Sequence, residues 1–285
     1  MAGGNVVKVA HSIKSASLLG ASQSESIGGG PHGGCFILKT EMRLSPMTRL
    51  YAAFDLELKI DKLGILKNLR GRYVERLNVA EGKRDSILRA LFLLDAIIVV
   101  LISGKSLNIP LLNITTADLP GILEIATATS AIAAIFFAIA FINWAAYEAI
   151  VSQFAIREAE PSFVDPDFIQ AAEKHTELTL KLLRTKFNIW GVDFHEPGQE
   201  FVLYSRIMNG LFTALFILFP ILHYILTGMS FIETFNRNEI GLVYIIYFGI
   251  VILANVLAVL LLIGIYHDFR FLVEIPTDAP TAQPE

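Results

Sequence analysis

Hydrophobic residues in this chain come in long blocks. Between the blocks the sequence turns to helical periodicity or to polar, glycine-rich stretches. Four blocks stand out, at about 87–104, 121–147, 207–228 and 241–266. A helix needs roughly 20 apolar residues to bridge about 30 Å of hydrocarbon, and a helix satisfies every backbone amide within its own segment. The pattern therefore predicts an all-α, polytopic membrane protein with four transmembrane helices. The fourth block has no charged residue and only Asn255 as a polar side chain near its centre, which a soluble core rarely sustains.

The segments between the blocks read differently. Residues 1–46 are rich in Gly and Ser and predict a disordered terminus, with Met47 an alternative start. Within 47–86, the stretch 54–85 has helical spacing of Leu56, Ile60, Leu63, Leu66, Val74 and Leu77, with Lys59, Lys62, Lys67 and Arg70 largely elsewhere. This basic amphipathic helix fits either a membrane surface or a packed cytoplasmic layer. In the linker 148–206, the second helix is expected to run on to Glu160 and stop at Pro161. A further helix starts at Asp165-Pro166-Asp167 and covers about 166–190. Residues 267–285 form a tail.

Composition agrees with lipid as the solvent. The chain is 54% hydrophobic and 18% charged, against about 45–50% and about 25% for soluble domains. Of the 23 Lys and Arg, only Lys105 and Arg237 fall in the loops 105–120 and 229–240. The positive-inside rule then puts both termini and 148–206 in the cytoplasm. Trp144, Tyr147, Tyr204 and Tyr266 would mark the inner boundary, and Tyr224 and Tyr244 the outer one. A plasma membrane or bacterial inner membrane fits. The net charge of −4 argues against a nucleic-acid partner. The single Cys35 excludes an internal disulfide and a multi-cysteine metal site, and leaves an inert thiol or a lipid acceptor.

No phosphate-binding, dinucleotide, metalloprotease or nucleophile-elbow motif occurs. Neither an enzyme nor a cofactor is expected. Asn113-Ile114-Thr115 matches a glycan acceptor pattern, which also arises by chance.

The candidate chemistry lies in polar groups within the blocks, because an ionisable residue in a bilayer is costly and faces the bundle interior. Asp95 and Asn255 sit about 12 and 16 Å from the cytoplasmic surface at about 1.5 Å per residue, and so can share a layer. That layer is either an ion-contact site or hydrogen-bonded glue. In the second block Glu124, Thr127, Ser130, Ala134, Ala138, Phe141, Ala145 and Glu148 share one face, a carboxylate at each end. Such a face lines a narrow pore in a ring of helices. Alternatively Ala126, Ser130, Ala134 and Ala138 form a small-residue packing seam. His223, beyond Pro220, is placed near the outer boundary at the depth of Glu124, as a pH-sensitive partner for it or an ordinary interfacial residue. The resulting expectation is a homo-oligomeric pore lined by the second helix. The alternative is a membrane-anchored signalling or scaffold protein that recruits a soluble partner through its cytoplasmic helices.

Overall fold

Ser45 and Asp61 set the first two helical boundaries. Ser45 accepts a hydrogen bond from the Thr48 amide at 3.1 Å, and Pro46 follows in the first turn, where its missing N–H costs nothing. Helix α1 (Pro46–Ile60) thus begins on a capped end. Asp61 terminates it, and its carboxylate accepts from the Ile65 and Leu66 amides at 2.9 and 2.7 Å, which caps helix α2 (Ile65–Ile102). Between them Gly64 takes a positive φ of 67°, a conformation that favours glycine. The amphipathic helix expected over 54–85 is therefore two helices. The break separates its apolar positions: Leu56, Ile60 and Leu63 stay exposed, whereas Leu77 and Ala80 are buried.

The computed structural model describes residues 36–61, 63–105, 108–109, 114–115, 121–162, 164–173, 199–237 and 241–277. Beyond α2 come a short antiparallel pair, β2 (Asn108–Ile109) with β3 (Ile114–Thr115), and helix α3 (Ile122–Ala159). A 3-10 turn (Glu160–Ser162), α4 (Pro166–Glu173), α5 (Gln199–Arg237) and α6 (Leu242–Tyr266) follow. Helix α4 starts where Asp165 accepts from the Asp167 amide at 2.9 Å. The rest of the helix expected to residue 190, and Asn113 of the glycan pattern, lie outside the described residues.

A separate unit pairs β1 (Phe36–Leu44) antiparallel with β4 (Phe269–Thr277), Lys39 opposite Glu274 and Met42 opposite Phe271. Over Phe36–Leu44 a strand thus replaces the disorder expected through residue 46, and Phe269–Thr277 of the expected tail form its partner; residues 1–35 and 278–285 lie outside the described residues.

The structure is mostly helical, and three helices, α3, α5 and α6, are long and apolar enough to cross a membrane. Those features are the mark of an integral, multi-pass membrane protein. In α2 the apolar stretch from Ile87 to the helix end carries Arg89 and Asp95 and falls short of the same measure. Helix α3 is the hub, packed by α1, α2, α4, α5 and α6. Its small residues make this possible, since each alanine lets a neighbouring backbone approach. Ala126 meets Ile98, Leu101 and Leu226; Ala134 and Ala138 meet Leu91 and Ala258; Ala145 and Ala149 meet Met47 and Ile265. Lipid-type exposure falls on the opposite faces, for example Ile125, Ile132, Phe136 and Ile139 of α3.

Helices α1, α2 and α3 extend their packing past Trp144. Phe54, Tyr73 and the buried Phe154 stack together, Arg84 lies 4.1 Å over the Trp144 ring, and Arg70 pairs with Glu158. Arg157 donates from Nε to Asp55 at 2.7 Å, and Lys59 reaches the same carboxylate at 2.9 Å. Partial burial alone would raise the Asp55 carboxyl, but Lys59 and Arg157 outweigh it and hold the group below the usual carboxylate range. With its folded value depressed, the Asp55 contribution is present above about pH 4 and is lost as pH falls through the lowered value. Amide protection in α1, taken relative to the intrinsic exchange rate at each pH, should therefore fall at acid pH in the natural protein. The Asp55→Asn variant should show lower protection already at neutral pH and little further loss in acid.

Candidate functional site

The expected shared layer of Asp95 and Asn255 exists, but a third residue stands between them. His223 of α5 points one ring nitrogen at each. Its Nδ1 lies 3.0 and 3.1 Å from the two carboxylate oxygens of Asp95 on α2, and its Nε2 lies 3.0 Å from Oδ1 of Asn255 on α6. Ser130 of α3 donates to Asp95 at 2.8 Å. All four are buried, at 6% exposure for Asp95, 3% for His223, 7% for Asn255 and 0% for Ser130. Four helices therefore meet at one polar point within an apolar bundle.

The hydrogen-bond pattern constrains the protons. Asn255 donates its Nδ2 to the Val251 carbonyl at 3.0 Å, which only the amide nitrogen can do. Its oxygen therefore faces His223, and Nε2 must carry a hydrogen to make that bond. The Nδ1 side then shares one proton with the carboxylate. That proton rests either on the ring, giving an imidazolium–carboxylate pair, or on Asp95, giving a neutral acid and imidazole. The pair has no net charge in either form. This is the condition under which two ionisable groups are tolerable in a low-dielectric interior, where an uncompensated charge is severely penalised. Gain or loss of a single proton breaks that neutrality.

More hydroxyls line the same interior. On α5, His223, Thr227, Ser230 and Thr234 recur at spacings of four, three and four, all buried. Thr227 donates to the His223 carbonyl at 3.0 Å, and Thr127 to the Leu123 carbonyl at 2.8 Å. Thr127 and Ser230 contact each other across the α3–α5 interface. The Tyr247 hydroxyl of α6 is buried beside these two and within electrostatic reach of Glu124, without a hydrogen bond of good geometry.

The sequence-derived candidates thus sort by position. Asp95, Ser130, His223 and Asn255 form the central cluster. Thr127 lies one turn along α3 from Ser130, towards half-buried Glu124. Glu148 is eighteen residues beyond Ser130 on the same helix, roughly 27 Å away at about 1.5 Å per residue, and belongs to the other end. Asn143 is exposed, as its position off the small-residue face implies.

Two placements are corrected. His223 does not pair with Glu124, because both ring nitrogens are engaged by Asp95 and Asn255, and it does not sit near the end of its helix. The third apolar block ends at Gly228, whereas α5 continues to Arg237 and leaves the buried His223 fourteen residues from its end. Tyr224 lies edge-on against His223 at 5.4 Å between ring centroids. The helix also continues through Pro220.

Ser230, Thr227, Thr234 and Tyr247 were missed. Their signal was available in the polar positions at helical spacing after His223 in an otherwise apolar sequence. Comparison with known proteins finds no matching family model, no similar curated protein and no similar solved structure.

Proposed function

We propose that this chain is a four-span membrane protein that moves protons, or a cation exchanging for them, with Asp95 and His223 as the binding station. The observation that carries this reading is the buried Asp95–His223–Asn255 cluster, whose hydrogen-bond geometry calls for one proton between Asp95 and His223. Histidine and carboxylate side chains are the groups from which proton relays in spanning helices are built, and buried ionisable residues of such helices mark ion and proton pathways. Helix α2 is read as the remaining span because Asp95 lies level with His223 and Asn255. The basic residues favour cytoplasmic termini, with the Glu124 end on the opposite side.

The small, weakly polar face of α3 is spent on contacts within the chain. That supports a path between α2, α3, α5 and α6 of one chain, rather than the ring of α3 helices expected from sequence. Further copies are then an assembly feature and no part of the path.

The test is pH-gradient-driven proton movement into liposomes that carry the purified protein. We expect movement with the natural chain and a fall of about 10²-fold in Asp95→Asn and His223→Gln, the usual scale for losing a positioned proton-transfer group. Absent movement, or movement unchanged in both variants, overturns the reading.

A second reading, a platform for a soluble partner, is supported by the α1–α2 turn, where Leu56, Ile60 and Ile65 are exposed and Leu63 is 81% exposed. It predicts a soluble protein that co-purifies from native membranes and is lost on Ile60→Asp with Leu63→Asp. It also predicts that the leucine double replacement of Asp95 and His223 leaves that association intact.

A further inference from the structure

Next to the Asp95–His223 pair, buried polar side chains of the described residues continue on one side only. Towards the Glu124 end, the Asp95–His223 pair is followed by Ser130 and Thr127 on α3, Thr227, Ser230 and Thr234 on α5, and Tyr247 on α6. From His223 to Thr234 the ladder runs eleven residues, roughly 16 Å along the helix at about 1.5 Å per residue. Towards the Trp144 end, the first layer beneath the pair is Leu91, Ala134, Ala138 and Ala258, with Phe219, Leu261 and Leu262 packed against it. That layer offers no side-chain donor or acceptor.

We infer that the pair exchanges its proton through the Glu124 end only, along the hydroxyl ladder, while the apolar layer of Leu91, Ala134, Ala138 and Ala258 seals the other half in this conformation. The inference rests on the proton-handling reading of the pair. Hydroxyls suit the task because each can accept a proton on its lone pair while donating its own onward, so the ladder ends with as many protons as it began. Side chains three and four positions apart on a helix sit about 5–6 Å apart at Cβ, a gap that a water molecule bridges. At the end of the ladder stand Glu124 on α3, Tyr247 on α6, and Glu233 on α5, which Arg237 pairs at 2.7 Å. Asp95 on α2 and His223 on α5 are the titratable groups at its base. A one-sided path that ends on a site with a sealed far side is half of an alternating-access cycle, in which the seal opens only after the site's protonation changes.

Cysteine scanning in a Cys35→Ser background tests this, since Cys35 is the only native cysteine. Ser230→Cys and Thr127→Cys are near-isosteric, and Ala134→Cys and Ala138→Cys are small changes, so all four should keep the fold. In liposomes, a small hydrophilic methanethiosulfonate should modify the first two at least about tenfold faster than the last two, because thiol reaction requires access. It should do so from the Glu124 side. Thr127→Val should slow proton uptake while Ile139→Val, on the exposed face of α3, does not. Equal modification rates, or faster reaction at Ala134 or Ala138, overturn the inference even if Asp95→Asn abolishes proton movement. If proton movement is absent altogether while Ser230→Cys still reacts preferentially, the function reading fails and the one-sided opening stands.

Discussion

Replacing His223 by leucine is expected to destabilise the solubilised protein by about 3–5 kcal/mol, the usual cost of leaving a buried ionisable partner alone. Asp95 would keep the Ser130 hydrogen bond but lose the group that balances its charge, and Asn255 would lose its acceptor role towards Nε2. Asp95→Leu should fail in the same way from the other side. The double replacement should recover most of the loss, because removing both partners leaves an apolar layer like the one below it. Denaturant unfolding in detergent, followed by helical circular dichroism, reads all four corners of this cycle. The size of the coupling decides between two pictures. Ordinary hydrogen bonds between membrane helices average about 0.6 kcal/mol, so a coupling of that order would make the pair mere glue. A coupling of several kcal/mol is expected from groups whose neutrality depends on each other.

The second large effect should come from a residue with no polar atom. Ala138 of α3 is 0% exposed and sits where Leu91, Ala258 and Phe219 converge. Ala138→Leu pushes a bulky side chain into a contact that depends on close backbone approach, and about 1–3 kcal/mol of overpacking is expected. The neighbouring Ile139 is half exposed on the opposite face, so Ile139→Leu should be close to neutral. The same unfolding measurement compares them. Equal stability of the two variants would show that α3 is not the tightly packed hub.

Much of this was legible in the sequence. The long apolar blocks gave α6 nearly at its boundaries and, with the extension expected to Glu160, α3 as well, because hydrocarbon thickness fixes a minimum length that few other structures need; α5 starts eight residues before its block and ends nine after it. Asp95 and Asn255 could be placed in one layer because each was counted from the same surface along a regular rise. His223 was misplaced because the sequence after Gly228, MSFIETFNR, looks like a loop when read for polarity alone. In the structure its polar residues Ser230 and Thr234 fall on the buried face of a continuing helix, while Ile232 and Phe235 point outwards. Periodicity carried the information that composition hid. The break at Asp61–Gly64 was weakly signalled, since the apolar spacing runs through it unchanged and only the capping carboxylate and the glycine mark it. The β1–β4 ribbon was out of reach for another reason. FILKTEMRL alternates clearly enough, but its partner lies more than two hundred residues away, and one sequence holds no record of that pairing.

The most direct test of the central claim, one proton shared between Asp95 and His223 with the far ring nitrogen committed to Asn255, is nitrogen NMR of the ring. The chain has six histidines, so the His223 signals are identified by their loss in His223→Gln. In lipid at neutral pH, Nε2 should be protonated and hydrogen-bonded. Nδ1 should show the strong coupling of a nitrogen that shares a proton with a carboxylate, and Asp95→Asn should abolish that signature while sparing Nε2. An unprotonated Nε2, or a His223 that titrates like a freely hydrated imidazole, would contradict the account.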